Sequence, residues 1–478
     1  MKTLAERSVP GRGGEHVGAS DVPGKPTIPK AMLRKGLKLP ELSESDVIRH
    51  YHNLAARNYG VDDGFYPLGS CTMKYNPKVS EDASRLPGFA GIHPLAPPEH
   101  CQGALRLMAE LEADLCALTG MDAFTLAPAA GAHGELTALM MMAAYFRDRG
   151  EKRSKVLVPD SSHGTNPATA GYMGYDVVVI ASDEMGDVDL ADLADKMGDD
   201  VAGLMLTNPN TLGLFDPNIE KITEIVHEGG GLVYYDGANL NAIMGIARPA
   251  DMGYDMVHLN LHKTFATPHG GGGPGSGPVG VTSALEPYLP SPRVKEGDGG
   301  YTLEYDGKSS IGMVRAFNSS FGVLVRAYAY IRALGGAGLR HASEMAVLNA
   351  NYLKERLKKR YELPFDRKCM HEFVLSGAKQ AHENGVRTTD IAKRILDAGM
   401  HAPTIYFPQI VEEAMMVEPT ETESLETMDA FADIMEEIAR ECETDPDKVR
   451  AAPVTMPVSR LDDALAARKP VLTWGMER

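Results

Sequence analysis

The sequence predicts an α/β protein: a mostly parallel sheet covered by helices on both faces, followed by a smaller C-terminal domain. Between residues 156 and 261, short apolar runs recur at Val156–Val158, Val177–Ile180, Ala202–Leu206, Leu232–Tyr235 and Met256–Leu261. They are too short for helices and several are rich in β-branched residues. Helix-like segments such as Asp189–Met197 and Ile219–His227 lie between some of them, and alternating strand and helix implies parallel strands joined by crossovers. From about residue 325 onward helical patterns take over.

Taken in order, residues 1 to about 40 combine Gly11, Gly13, Gly14, Pro23, Pro26 and Pro29 with charges and no apolar periodicity. Such a stretch cannot bury a core alone and reads as an arm, of the kind that often lies across a partner subunit. Leu105, Leu107, Met108, Leu111, Leu115 and Leu118 recur mostly at three and four, with Gly120 as the stop, predicting a helix to Thr119. A second helix is predicted from Gly134 to Arg149, with Met140, Met141 and Met142 as core filler. Further helices are expected over Val323–Leu334, Thr389–Ala398 and Thr422–Ala439, the last with an acidic first turn that suits the helix dipole. The division drawn from this pattern is 1–95 as arm and extension, 96–335 as the large domain and 336–478 as the small one.

Composition excludes several classes. The 478 residues exceed one compact core, and 43% hydrophobic with 24% charged residues matches a globular protein. Lys and Arg total 48 against 65 Asp and Glu, a net charge of −17 that argues against nucleic acid as a partner. Cys71, Cys101, Cys116, Cys369 and Cys442 are scattered and never form CxxC, so reduced structural thiols are expected rather than disulfides or a zinc cage. No apolar stretch is long enough to span a membrane and the N-terminus lacks a secretory apolar core, so the expected compartment is the cytoplasm.

In parallel sheets ligands bind beyond the carboxyl ends of the strands, so the residues after each apolar run carry the chemistry. Lys263 follows MVHLNL and precedes the glycine run, where desolvation can make its amine a nucleophile suited to Schiff-base formation, although a loop lysine taken alone is most simply solvated. Asp236 ends GLVYYD; a carboxylate there can hold a pyridinium nitrogen protonated, and on local sequence it serves equally as a turn cap or metal ligand. His163, in VLVPDSSHGTNP, offers a flat ring for stacking or proton transfer, roles that a lone loop histidine usually lacks. Parallel strands bring these three ends to one edge. In APAAGAHGEL the small residues Ala129, Ala130, Gly131 and Ala132 precede a helix, whose free amides can hold a phosphate; a loop kept small for packing explains the same residues equally well.

Other patterns weaken on inspection. Gly270, Gly272 and Gly275 satisfy GxGxxG, but Pro274 and Pro278 oppose a helix there, which rejects a nicotinamide fingerprint. No P-loop occurs. His258 and His262 stand four apart, but on an extended run and without the glutamate of HExxH, so no metal site is read from them.

With these residues assembled, the chain resembles the P-proteins of the glycine cleavage system, the pyridoxal-phosphate-dependent glycine decarboxylases, and among them the second subunit of the two-subunit form. The resemblance rests on PLGSCTMKYNP (67–77), AGAHGEL (130–136), DSSHGTNPATA (160–170), DGANLNA (236–242), HLNLHKTFATPHGGGGPGSGP (258–278) and VEPTETES (417–424). It implies the fold type I architecture of the aspartate aminotransferase superfamily: a large domain with a mostly parallel, seven-stranded-type sheet and a smaller α+β C-terminal domain. It further implies pyridoxal phosphate on Lys263, Asp236 facing the ring nitrogen, His163 stacked on the ring, and Gly131, Ala132 and His133 near the phosphate. His133 stands where relatives often carry glutamine, and LTNPNTLGLF (206–215) departs from their commoner tyrosine and serine pattern; Thr207 or Thr211 is the candidate contact for the cofactor's O3′. The implied reaction decarboxylates glycine and passes the aminomethyl group to the lipoyl arm of H-protein. The implied partner is a companion P-protein subunit in an α2β2 assembly, with neither nucleic acid nor membrane involved. The alternative within enzymes is another pyridoxal-phosphate-dependent decarboxylase or aminotransferase of this fold; a non-catalytic scaffold is disfavoured by Lys263. Arg315 is a candidate for the substrate carboxylate, with a structural or surface role the simpler reading.

Overall fold

The computed structural model describes residues 2–13, 21–24, 28–34, 36, 39–271, 275–473 and 476. Gly14 and Pro26 of the predicted arm, and Gly272 and Pro274 of the glycine run, lie outside the described residues. The chain divides into two units, Met1–Asp63 and Gly64–Arg478. In the first, the longest helix is Glu44–Ala55, opened by Ser43, whose hydroxyl accepts from the Asp46 amide. Around its short helix Leu4–Arg7 most residues are exposed, and the Gly11 amide donates to Glu41 Oε2 at 2.6 Å.

The second unit is built on a seven-stranded sheet. Its strands are β1 (Ala123–Thr125), β2 (Lys155–Pro159), β3 (Asp176–Ile180), β4 (Val201–Leu206), β5 (Leu232–Gly237), β6 (Met256–Leu259) and β7 (Val279–Val281), in spatial order β1-β7-β6-β5-β4-β2-β3. β2 to β6 run parallel, and β7 is antiparallel to both β6 and β1. Side chains alternate across it: Val233, Tyr235, Val257 and Leu259 enter one core, Tyr234, Met256, Val156 and Val158 the other. Burial of both faces is why the strands read as continuous apolar runs.

Helix Gln102–Thr119 ends in Gly120 at φ 76°, the left-handed stop the sequence predicts. The next helix spans Gly131–Asp148 and so begins three residues before the expected Gly134; Met141 and Met142 are buried in it and Met140 half-buried. The run Met256–Leu261 is strand only to Leu259, because Leu261–Thr264 coils into one helical turn that carries His262 and Lys263. The helix predicted over Val323–Leu334 runs instead from Phe321 to Leu357, kinked at Gly335. A hairpin of β8 (Arg293–Gly297) and β9 (Gly300–Glu304) precedes it.

Among the C-terminal helices lies a three-stranded antiparallel sheet that the helical patterns conceal: β10 (Phe373–Ser376), β11 (Thr404–Ile405) and β12 (Ala414–Val417), ordered β10-β12-β11. Phe373, Leu375, Met415 and Val417 pack with Phe431, Met435 and Ile438 of helix Leu425–Thr444. Among the described residues no helix is long and apolar enough to cross a membrane.

Candidate active site

Four strands of the large sheet end at one cavity of about 250 Å³. His163 and Thr165 follow β2, Thr207 and Thr211 follow β4, Asp236 lies at the end of β5, and Lys263 sits on the turn after β6; all of them line it, as do Gly131 and Ala132. The parallel register sets Asp236 beside His258 of the neighbouring strand.

Asp236 is 2% exposed. Its Oδ2 accepts from Asn166 Nδ2 at 3.1 Å and its Oδ1 from the Ala238 amide at 3.0 Å. Burial pushes the carboxyl up, but the N–H edge of His258, the nearby Lys263 and these two hydrogen bonds outweigh it, holding the group below the usual carboxylate range. His258 Nε2 lies 3.6 Å from Asp236 Oδ1. The neutral Nε2–H form satisfies that ring: the Tyr234 hydroxyl donates to Nδ1, and Nε2 donates to Asn260 Oδ1 at 2.7 Å. Burial depresses the His258 pKa in the same sense. The fixed charge of this wall is therefore a buried anion at Asp236.

His163 is part-buried, its basicity lowered chiefly by burial, and the Phe407 ring meets it edge-on at 5.7 Å between centroids. Thr207 and Thr211 differ. The Thr211 hydroxyl donates to the Ser161 carbonyl, whereas Thr207 Oγ1 is buried without a partner. His262 also lines the cavity with Nδ1 unpartnered, and burial lowers its pKa to about 3.

The helix that starts at Gly131 opens at the cavity, with Gly131 and Ala132 of its first turn among the lining residues. A Cβ at Gly131 would stand 2.5 Å from Asn260 Nδ2, and one at Gly277 would stand 2.1 Å from the Ala130 carbonyl. Glycine is thus what lets the helix end, the β6 end and the segment before β7 converge. His133 is not among the lining residues: its Nδ1 accepts from the Ala129 amide at 3.1 Å, and the charge of Arg315 acts on its ring. Arg315 itself donates to Ser320 Oγ at 3.3 Å and does not line the cavity.

Sequence reasoning missed a second layer of buried acids. Glu135, 3% exposed, lines the cavity and accepts from Thr165 Oγ1 at 2.7 Å and Thr169 Oγ1 at 3.3 Å. Behind Lys263, His371, Glu372 and Glu418 are fully buried together; Glu372 Oε2 accepts from the Ser70 amide at 2.7 Å and Glu418 Oε2 from the Thr72 amide at 2.9 Å. These bonds clamp a loop in which Ser70 and Thr72 both have positive φ and Ser70 lines the cavity. Cys71 between them is a part-buried thiol pushed up to about 11 by burial, free as the sequence leads one to expect. Glu135 sits inside the AGAHGEL motif and Glu418 inside VEPTETES, so the signal was present, but an acid near a helix start reads first as a dipole partner.

Comparison with known proteins identifies the family of the chain. The glycine cleavage system P-protein family model matches residues 16–297, and the glycine dehydrogenase C-terminal domain model matches 342–455. A probable glycine dehydrogenase (decarboxylating) subunit 2 from Caldanaerobacter subterraneus subsp. tengcongensis is 61% identical over 95% of this chain and 94% of its own length. A protein of the same description from Desulforamulus reducens is 58% identical over 99% of both chains. Among solved structures, a glycine decarboxylase (P-protein) of the glycine cleavage system in inhibitor-bound form aligns with a TM-score of 0.72 at 21% identity, over 86% of this chain and 93% of that one. The glutamate decarboxylase of Lactobacillus brevis aligns at 0.66 and 14% identity, over 87% and 96%, a likeness of fold alone. The architecture is that of the fold type I enzymes, and the chain belongs to the glycine cleavage system P-protein family.

Proposed function

We propose that this chain is the lysine-bearing subunit of a two-subunit glycine decarboxylase, that it uses pyridoxal phosphate, and that it hands the aminomethyl group to a lipoylated H-protein. The relatives at 61% and 58% identity are named as subunit 2, which supports a companion subunit here, in an α2β2 assembly on this reading. The functional division that goes with it is 96–335 for cofactor binding and 336–478 for the small domain, with 1–95 as arm and extension.

The observation that carries the proposal is the meeting of Lys263, Asp236, His163 and the Gly131 helix end at one cavity. The donor set fits the cofactor. A primary amine answers its aldehyde, a buried anion answers its ring nitrogen, and glycine-lined first-turn amides answer its phosphate. Thr207, with its buried hydroxyl unpartnered, answers its phenolic oxygen better than Thr211, whose proton is committed to Ser161.

When bound, pyridoxal phosphate supplies an electron sink for the pair left on the α-carbon as CO2 departs. The chain supplies the rest. Asp236, fixed by Asn166 and Ala238, holds a proton on a facing nitrogen without reorganising. Lys263 offers the amine that binds the cofactor and, once displaced, holds or returns a proton. His163, steadied by Phe407, covers a ring face. His262 and His258 are kept neutral by burial, so they add no charge that would hold a carboxylate back from leaving.

The test uses the chain purified with its companion subunit. Borohydride should leave a pyridoxyl group on the peptide containing Lys263. Glycine-dependent exchange of labelled CO2 should require H-protein and vanish in Lys263→Ala. A pyridoxyl group on another residue, or full exchange by Lys263→Ala, overturns the proposal.

A further inference from the structure

At the end of the small sheet the fold buries a set of polar atoms that the chemistry above does not use. β10 and β12 pair antiparallel with Phe373 opposite Val417, so Glu372 and Glu418 fall one step beyond that pair, with His371 next to Glu372 in the chain. All three are 0% exposed. Each carboxylate spends one oxygen on the loop beside the cavity: Glu372 Oε2 accepts from the Ser70 amide and Glu418 Oε2 from the Thr72 amide. The other oxygen of each, Oε1, lies 3.9 Å from His371 Nε2. Neither Oε1, and neither ring nitrogen of His371, makes a hydrogen bond among the described residues.

We propose that His371, Glu372 and Glu418 bind a divalent transition-metal ion, with Zn2+ the best match to their donor atoms.

A separation of 3.9 Å is too wide for a hydrogen bond, so the ring and the two acids do not pair with one another directly. It matches two ligands of one ion: Zn2+ takes imidazole nitrogen and carboxylate oxygen at about 2.0–2.2 Å each, which sets such ligands up to about 4 Å apart. The three donor atoms all lie within 4.8 Å of one another, so a single ion reaches every one of them. Charge points the same way. Two ionised carboxylates out of water are costly unless a cation pairs with them, and a divalent ion offsets both. Protonating both acids would also remove the charge, but it would leave two buried hydroxyl donors with no acceptor at this spacing.

The surroundings suit a ligand set. Burial first, then nearby Lys263 and Lys74, push the His371 ring down to about 3, which keeps it in the neutral form that a metal requires. Of those two amines, Lys74 is already paired with Glu421 at 2.6 Å, and Lys263 acts on Asp236 as well. Thr72 Oγ1, buried and also without a hydrogen bond, acts on Glu418 and supplies a neutral oxygen on that side. Asn239 acts on Glu372, but its amide donates to the Pro209 and Asn210 carbonyls. An imidazole nitrogen among the donors selects against Mg2+ and Ca2+, which seek oxygen. Stripped of the ion, the chain is left with burial as the main influence on Glu418, which pushes it up to about 7; the ion holds it ionised. Through the two carboxylates a bound ion ties the end of the small sheet to the Ser70–Thr72 loop, and Ser70 lines the cavity.

The test uses the chain purified with its companion subunit, stripped by a chelator, loaded with Zn2+ and desalted. Metal analysis should find one Zn2+ per chain more than in the same complex carrying His371→Phe, or Glu372→Gln with Glu418→Gln, which keeps an acceptor for each loop amide. His382→Ala, at an exposed pair with Glu412, should retain the ion. Added Zn2+ should raise the unfolding midpoint of the unmodified complex, and the same concentration of Mg2+ should not. Because buried substitutions can disturb folding, anomalous scattering at the zinc edge from crystals of the loaded, unmodified complex decides the matter, with the peak expected between His371 Nε2, Glu372 Oε1 and Glu418 Oε1. No peak at that position, or an ion retained in full by both buried variants, overturns the inference.

Discussion

Asp236 and Glu135 are neighbouring buried acids with opposite fates, and the difference lies in what donates to them. Asp236 receives a backbone amide and the Asn166 amide and stands near Lys263, so its charge is stabilised. Asp236→Asn keeps the shape and removes that charge; it also leaves a buried donor facing an amide, which costs about 1–3 kcal/mol of stability. Exchange of labelled CO2 with glycine should fall at least about 100-fold, equivalent to about 3 kcal/mol on the barrier. A variant within threefold of the unmodified chain would remove Asp236 from the chemistry. Glu418 behaves like Glu135: burial above all raises its pKa from 4.5 to about 7. The folded state then binds more protons than the unfolded one between those values, so the acid form is tolerated below pH 4.5, and stability falls as pH rises through 7. Glu418→Gln keeps an acceptor for the Thr72 amide and cannot ionise. Its unfolding free energy relative to the unmodified chain should therefore rise by about 2–3 kcal/mol between pH 4.5 and 8, measured by urea denaturation at each pH. A difference that does not change with pH would show that the buried acid is not under strain from its charge.

At the scale of elements, Gly335 shows how much of a helix boundary the sequence encodes. The helical pattern ends at Leu334, and Gly335 does break the helix, at φ 61° and ψ 177°, but a second helix continues on the other side to Leu357. That conformation is open almost only to glycine. Gly335→Ala meets no atom within 4 Å, so its whole cost is backbone strain, about 1–3 kcal/mol in unfolding free energy. Gly336→Ala, equally free of neighbours and without positive φ, should be neutral or slightly stabilising. Equal effects of the two substitutions would contradict a strained hinge. The central strands were legible because both their faces are buried and they read as apolar runs. β1 and β7, three residues each, were not, since β7 is extended only by pairing antiparallel with β6 and β1. Nor was the small sheet: β12 pairs with β10 from 41 residues away at the Phe373–Val417 and Ser376–Ala414 ends on average, with no turn between them to announce a hairpin. Lys263, Asp236 and His163 were legible because strand ends converge by topology. Glu135 and the Glu372–Glu418 clamp were not, because their partners, Asp236 and the Ser70–Thr72 loop, are brought close only by folding.

The whole second unit is tied together by a residue that sequence periodicity gives no reason to notice. Lys74, 2% exposed, donates to Glu421 at 2.6 Å and to Asn241 Oδ1 at 2.7 Å, with the Tyr330 hydroxyl at 3.4 Å. Those contacts join the segment before the first long helix, the loop after β5, the kinked helix and the segment after β12. Burial alone would pull the ammonium down, yet Glu421 and Tyr330 hold it above its usual value, so the charge persists in the interior. A pair of this kind is costly to break and cheap to replace, because removing one member strands the other without water. Lys74→Met should lower the unfolding free energy by about 3–5 kcal/mol. Combined with Glu421→Leu, which removes the stranded acid, the loss should be smaller than the sum of the single losses by about 2 kcal/mol or more. Urea unfolding followed by tyrosine fluorescence measures all four corners of that cycle. Additivity within about 0.5 kcal/mol would mean that the two side chains act independently and that the apolar cores on either side, rather than this ion pair, fix how the C-terminal strands meet the large sheet.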